Sequence, residues 1–183
     1  MTASRARLGL GIWLMAALAL AASACSVEDV MEAPDCESGG SYIIVAQSVP
    51  TADLVPCFNT LPAGWEITNV RIDQSGTAIR LDSDRAGSGA AQLRYVDDCD
   101  REGAVSVPSD QEGANRYELI ESVEPDFRAR RYYTFVGGCV EWDFDFSADA
   151  SAALSIELGD ALILLTRTEI NDIIRENLID EEL

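Results

Sequence analysis

The stretch that decides the fold is residues 65–98, WEITNVRIDQSGTAIRLDSDRAGSGAAQLRYVDD. Apolar and polar side chains alternate along three runs, Trp65–Asp73, Thr77–Asp84 and Ala91–Asp98, and this period of two is typical of strands with one buried face. Short turns that contain glycine join the runs. Strands joined by such turns pair antiparallel, so the stretch predicts a β-meander.

More strands are predicted on either side of the meander, over Tyr42–Ala46, Tyr117–Val123, Arg130–Val136 and Cys139–Phe146. Gly137 and Gly138 fit a tight hairpin turn between the last two of them. Val49–Leu61 is punctuated by prolines and is predicted as a loop or a short helical turn, and Arg101–Gly113 is predicted as a loop. The sheet is therefore expected to have about six strands.

The pattern becomes helical after Phe146. A helix is predicted over Ala148–Leu158, and a second one begins at Thr168 as its N-cap. The segment Asp160–Thr166 between them fits either a buried strand or a continuation of the helix. The expected fold class is α+β, an antiparallel sheet of about six strands with C-terminal helices packed on one face.

The N-terminus has the layout of a secretory signal peptide. Arg5 and Arg7 precede the apolar stretch Leu8–Ala22, and small residues then lead to Cys25. A stretch of about fifteen apolar residues is short for a bilayer span, which takes about twenty. Export is therefore expected.

Residues 22–25, Ala-Ser-Ala-Cys, resemble the lipobox of bacterial lipoproteins, in which the cysteine is lipidated and becomes the first residue of the mature protein. Ala22 departs from the leucine that is usual there. The resemblance implies a lipid anchor on Cys25 at the extracytoplasmic face of the cell membrane, with several acyl chains for stable attachment. Two alternatives stay open, namely conventional cleavage after Ala24 and retention of the leader as an uncleaved anchor.

On the lipoprotein interpretation, the chain divides into a signal peptide at 1–24, a lipid-anchored acidic tether at 25–41 and a single globular domain at 42–183. Parts of this domain resemble uncharacterised actinobacterial envelope proteins. The segments concerned are Val55–Cys57, Asp82–Gly87 and Gly137–Val140. This second resemblance implies no activity.

Five cysteines make an odd number for an oxidising compartment, but lipidation of Cys25 leaves four for two disulfides. We expect Cys36 to pair with Cys57 because both precede the meander. Cys99 ends one predicted strand and Cys139 begins another, so these two form the second expected pair. Four cysteines allow three connectivities. The cysteines show no C-x-x-C spacing, so neither a zinc site nor a thioredoxin-like redox motif is supported.

The charged residues are 32 Asp and Glu against 13 Arg, with no Lys and no His. This negative charge excludes nucleic acid as a partner and disfavours anionic lipid headgroups. The lack of His excludes Ser-His-Asp catalysis and His-ligated metals, and the lack of Lys excludes Schiff-base chemistry. No cofactor is implied.

Asp143 and Asp145 form a candidate acid pair because both project from one face of a predicted strand, about 6 to 7 Å apart. This spacing is near that of the paired acids of glycoside hydrolases. The simpler interpretation is a strand whose aromatic residues face the core while its acids face water. We therefore assign no catalytic residue.

Two acidic clusters are candidate calcium sites, since their oxygens could converge at neighbouring strand ends. Their members are Asp82, Asp84, Asp97, Asp98 and Asp100. The first cluster resembles a calcium-binding EF-hand loop in having glycine at its sixth position. Its twelfth position is Leu93, where a bidentate Glu belongs, so no metal site is predicted.

Arg128, Arg130 and Arg131 form the only basic cluster after the leader and are weak candidates for binding an anion or an acidic partner. The alternative is that each arginine pairs with an acid on a neighbouring strand. The function expected from the sequence is a non-catalytic binding or scaffolding domain at the cell envelope, with an envelope protein or glycan as partner. The alternative function is a carboxylate-dependent hydrolase acting on cell-wall glycans, and a solute-binding module is a further alternative.

Overall fold

The computed structural model describes residue 36, residues 40–147 and residues 150–179. The predicted signal peptide, Cys25 and most of the tether lie outside this part of the chain. The described elements are α1 (Gly40–Ser48), β1 (Leu54–Phe58), β2 (Trp65–Asp73), β3 (Gly76–Ser83), β4 (Gly87–Val96), β5 (Val105–Val107), β6 (Asn115–Ser122), β7 (Arg128–Phe135), β8 (Gly138–Asp145), α2 (Ala153–Asp160), β9 (Leu162–Thr166) and α3 (Arg167–Ile179).

Seven of the strands form one antiparallel sheet in the order β2-β3-β4-β8-β7-β6-β5. The chain builds one half as β2-β3-β4 and the other as β5-β6-β7-β8, and β8 then pairs with β4 to join the halves. The remaining strands, β1 and β9, form a separate two-stranded antiparallel ribbon. The predicted antiparallel sheet and C-terminal helix are confirmed, but about six strands was too few.

The hydrophobic core lies on one face of the large sheet. Trp142 and Phe144 of the central strand β8 are almost wholly buried there, with their rings stacked at a centroid distance of 5.6 Å. The same cluster of buried residues includes Val45 of α1, Leu158 of α2 and Leu162 of β9. One face of the sheet is thus covered by helices and by the β1–β9 ribbon, and we call it the covered face.

Arg167 fixes the start of α3 against the end of α1. Its guanidinium donates hydrogen bonds to the carbonyl oxygens of Ala46, Val49 and Ala52, at 2.9, 2.8 and 2.6 Å. These carbonyls lie at or just beyond the C-terminal end of the helix, where they lack partners within the helix. None of the described helices is long and apolar enough to cross a membrane.

The segment Tyr42–Ala46 was predicted as a strand, and this is wrong, because it lies in α1. A short apolar run does not distinguish a strand from a buried helix by periodicity alone. In the structure, Val45 and Val49 are buried at a spacing of four, while Ile43 and Ile44 are exposed. The helix is therefore apolar on both sides, and packing buries only one of them.

The proline-rich segment Val49–Leu61 was predicted as a loop or helical turn, and it contains strand β1 instead. Proline has no backbone N–H to donate to a neighbouring strand. Pro56 is tolerated because β1 pairs with β9 on one side, so its other edge needs no N–H donor. The segment Asp160–Thr166, which fitted either a strand or a continued helix, contains strand β9.

Two further boundaries differ from the prediction. β5 lies within the predicted loop Arg101–Gly113. The predicted helix Ala148–Leu158 begins only at Ala153, after non-helical residues 150–152.

Both expected disulfides are present. Cys36 and Cys57 are bonded with a Cα–Cα distance of 5.3 Å, and Cys99 and Cys139 with a distance of 5.9 Å. The second bond ties the loop after β4 to β8 on the face opposite the core. Tyr132 is fully buried beneath it, in a small separate cluster with both cysteines.

Candidate functional site

The predicted basic cluster is divided between the two faces of the sheet, because successive residues of a strand point in opposite directions. Arg131 is buried on the covered face. Arg128 and Arg130 lie on the opposite face, across from Asp145 and Asp143 of β8. The three arginines therefore do not form one binding surface.

The two outward arginines form cross-strand ion pairs, as the simpler interpretation predicted. Nε of Arg128 lies 3.0 Å from Oδ1 of Asp145, and Nη2 of Arg130 lies 3.0 Å from Oε1 of Glu121. All four side chains are well exposed. Exposed pairs of this kind contribute about 0 to 1 kcal/mol to stability.

The acid pair Asp143 and Asp145 stands on the exposed face of β8. Loss of hydration raises the pKa of Asp143, and the negative charges of Glu121 and Asp145 add to the effect, while the positive charge of Arg130 opposes it. Asp145 is held in its ion pair with Arg128. The structure therefore gives the two acids different environments, but on an open surface.

Aspartates of the acidic clusters mainly accept hydrogen bonds from backbone N–H groups of nearby turns. Oδ1 of Asp82 accepts a hydrogen bond from the N–H of Gly89 at 2.7 Å, and Asp98 and Asp100 accept from backbone N–H groups at 3.0 and 3.1 Å. Such bonds between an aspartate and nearby backbone stabilise turns. Among the described residues, no group of three or more acidic or cysteine side chains is arranged to hold a metal ion.

We expect calcium to leave the melting temperature almost unchanged, because Asp82, Asp98 and Asp100 are occupied by these turns and the described acids are not grouped to hold a metal ion. The measurement is thermal unfolding with calcium, and magnesium serves as the control. A calcium-specific rise of several degrees that disappears in Asp84→Ala would contradict this prediction. Asp84 is a suitable probe since its side chain is exposed.

A cleft opens on the covered face where β6 and β7 meet the N-terminal half of α2, and we call it the Arg131 cleft. Its volume is about 320 Å³, at the small end of the range of ligand pockets. Its walls are mostly apolar. They include Ile120, Phe127, Ala129, Phe144, Ala152 and Ile156.

Arg131 lines this cleft with a side chain that is only 6% exposed. Its Nε donates to Oε1 of Glu118 at 2.9 Å, and its Nη1 donates to the carbonyl oxygen of Ser155 at 3.2 Å. The guanidinium carbon also lies 5.6 Å from the ring centre of Phe144. Gly159 permits this approach, since a Cβ there would lie 2.1 Å from Nη1. Among the described residues, Nη2 has no hydrogen-bond acceptor.

Glu118 is shared by two guanidinium groups. Besides Arg131, it accepts from Nη2 of Arg116 at 2.5 Å. Nη1 of Arg116 in turn lies 3.2 Å from Oδ1 of Asp110, which also accepts from the Tyr133 hydroxyl through Oδ2 at 3.3 Å. Burial alone would raise the pKa of Glu118, but the hydrogen bond from Arg116 and the charge of Arg131 hold it below its ordinary value.

Comparisons with protein families, with curated proteins and with solved structures give no significant match to this chain.

Sequence reasoning singled out Arg131 but missed Arg116, Glu118 and the part played by α2. A signal for the first two was present, because opposite charges recur at a spacing of two in Arg116-Tyr117-Glu118 and must share one face of a strand. Nothing in the sequence showed that this face would be covered by Ser155 and Ile156, since the contact joins residues far apart in the chain.

Proposed function

We propose that the chain is an exported bacterial lipoprotein, anchored through Cys25 at the extracytoplasmic face of the cell membrane. We propose that residues 42–183 form a single non-catalytic binding domain, with the Arg131 cleft as its ligand site. The observation that carries the binding role is a buried guanidinium at the side of an apolar cleft, whose Nη2 has no acceptor among the described residues. An envelope protein or glycan as partner, expected from the sequence, stays a prediction.

Burial of a charge argues for a role of this site beyond stability. Removing a guanidinium from water costs several kcal/mol, and apolar side chains of similar volume often stabilise a fold as well or better. Arg131 keeps one of its terminal groups without an acceptor among the described residues, although Glu118 and Ser155 engage the others. A ligand oxygen in the cleft would accept a hydrogen bond from this group.

The disulfides support placement outside the cytoplasm. The two bonds use four of the five cysteines of the sequence and leave only Cys25 outside them. Stable disulfides form in oxidising compartments. Lipidation of the fifth cysteine is in keeping with this arrangement.

The geometry favours binding over carboxylate-dependent hydrolysis of cell-wall glycans. Such a hydrolase needs a protonated acid within a cleft. Glu118 lines the cleft but its pKa is lowered, whereas Asp143 has a raised pKa but stands on the open face beside Arg130. No described carboxylate combines both properties, so hydrolysis is the second candidate.

Changing Cys25→Ala is expected to leave the precursor unprocessed or to release the protein from the membrane, because no acyl chains can then be attached. The measurement is membrane fractionation and intact mass in a bacterial host that processes lipoproteins. Ser26→Ala is the matched control and should retain both the lipid mass and the membrane location. Unchanged processing and retention of Cys25→Ala would show that the lipoprotein proposal is wrong.

A further inference from the structure

The mouth of the Arg131 cleft carries two exposed isoleucines on opposite sides. Ile120 of β6 and Ile156 of α2 are each 58% exposed, and both line the cleft. A single exposed aliphatic residue is ordinary. Two of them lining one apolar cleft together with Phe144 suit an aliphatic body rather than a sugar, whose hydroxyls would lose their hydration there.

The polar end of the cleft is equally specific. A guanidinium has five N–H donors in a planar arrangement that suits a carboxylate. Arg131 uses Nε and Nη1 for Glu118 and Ser155, and these bonds hold the plane of the group in place. The Nη2 donors have no acceptor among the described residues. A ligand oxygen can therefore bind without displacing a protein group.

Local charge disfavours a ligand with more than one negative charge. The partly buried group formed by Asp110, Arg116, Glu118 and Arg131 is neutral as a whole, with two acids and two arginines. The chain carries a formal net charge of −19, which repels multiply charged anions. A monocarboxylate adds one charge beside a guanidinium, whereas a phosphate monoester would add about two.

We infer that the Arg131 cleft binds a fatty acid, with its carboxylate on Arg131 and its chain running outward between Ile120 and Ile156. This inference rests on the proposed binding function and names the ligand class. The competing ligand with the same acyl chain is a fatty-acid ester. Its carbonyl oxygen accepts a hydrogen bond but carries no charge.

Photoaffinity labelling of the intact chain in phosphatidylcholine nanodiscs tests the inference. The probes share one diazirine-bearing ten-carbon chain and differ in the head group, which is a carboxylate, a methyl ester or a trimethylammonium. The carboxylate probe should label peptides that contain Ile120 and Ile156, and unlabelled decanoate should compete. The ester should label these peptides about tenfold less, because it lacks the charge-assisted bond.

Two isoleucine variants form a matched pair for the cleft. Ile156→Glu places a negative charge at the mouth and should reduce labelling at least about tenfold, by like-charge repulsion and loss of the apolar wall. Ile44→Glu makes the same change on α1, at an exposed residue outside the cleft, and should leave labelling unchanged. Arg131→Met should remove the preference for the carboxylate over the ester. If that variant does not fold, the isoleucine pair still decides the location of binding.

The outcomes separate the inference from the proposed function. Equal labelling by the ester and the carboxylate would overturn the role of Arg131, and equal labelling of both isoleucine variants would overturn the location. Labelling of the cleft by the trimethylammonium probe alone would overturn the fatty-acid inference and leave a binding function standing. If no probe labels the cleft, both proposals fail.

Discussion

Removal of the Cys99–Cys139 disulfide, by Cys99→Ala together with Cys139→Ala, is expected to lower the free energy of unfolding by about 4 kcal/mol. The bond closes a sequence separation of 40 residues, and its loss gives the unfolded chain more conformational freedom. It also joins the loop after β4 to the central strand β8 above buried Tyr132. Urea denaturation followed by tryptophan fluorescence measures the change.

The other disulfide is the control for this prediction. Cys36–Cys57 closes a shorter separation of 21 residues, for which loop entropy gives about 3 kcal/mol. It joins the chain before α1 to the two-stranded ribbon, so its loss should mainly raise hydrogen exchange in α1. If its removal instead raised exchange throughout the seven-stranded sheet, as removal of Cys99–Cys139 should, the distinction between a local and a global bond would be wrong.

Glu118→Gln is expected to lower the free energy of unfolding by about 2 kcal/mol. Glu118 is the acceptor shared by Arg116 and Arg131, and its loss leaves a buried guanidinium without a counter-charge. The effect is reduced below that of a fully buried pair because the Glu118 side chain is 25% exposed. Thermal and urea unfolding at neutral pH provide the measurement.

The same variant should change the response to acid. Because the folded-state pKa of Glu118 is lowered, its carboxylate stabilises the fold above its ordinary pKa near 4.5, and this contribution is lost as the pH falls through the folded-state pKa. Glu118→Gln should therefore lose less stability than the wild type below about pH 4.5. Glu121→Gln, in the exposed pair with Arg130, should change stability by less than about 1 kcal/mol. Equal effects of the two variants would contradict the special role of the cleft.

The sheet was predictable where local patterns suffice. Residues 65–98 alternate because one face of β2, β3 and β4 is buried, and short turns join strands that are also neighbours in space. Gly137-Gly138 identified the hairpin of β7 and β8 in the same way. The cysteine pairs were predicted from their positions along the chain, since Cys36 and Cys57 both precede the meander, and Cys99 and Cys139 stand at the ends of predicted strands.

The rest depended on contacts between distant residues. Tyr42–Ala46 is as apolar as a strand, and only its packing against the covered face makes it a helix. β1 is a strand because it pairs with β9, and this partner lies more than a hundred residues later in the chain. The cleft was beyond prediction for a related reason, since its wall of α2 residues meets Arg131 through a contact between residues 24 apart in the chain.

The bond between Cys36 and Cys57 also determines how a pull on the chain is transmitted. A force applied before Cys36 passes through the disulfide to β1 and bypasses α1, which lies within the closed loop. The load therefore falls on the five residue pairs between β1 and β9. If the bond were reduced, the force would instead pass along the chain from Cys36 to Cys57. This segment spans 21 residues and reaches up to about 70 Å when fully extended. This one covalent link thus sets how far the domain can reach from any point of attachment that precedes Cys36.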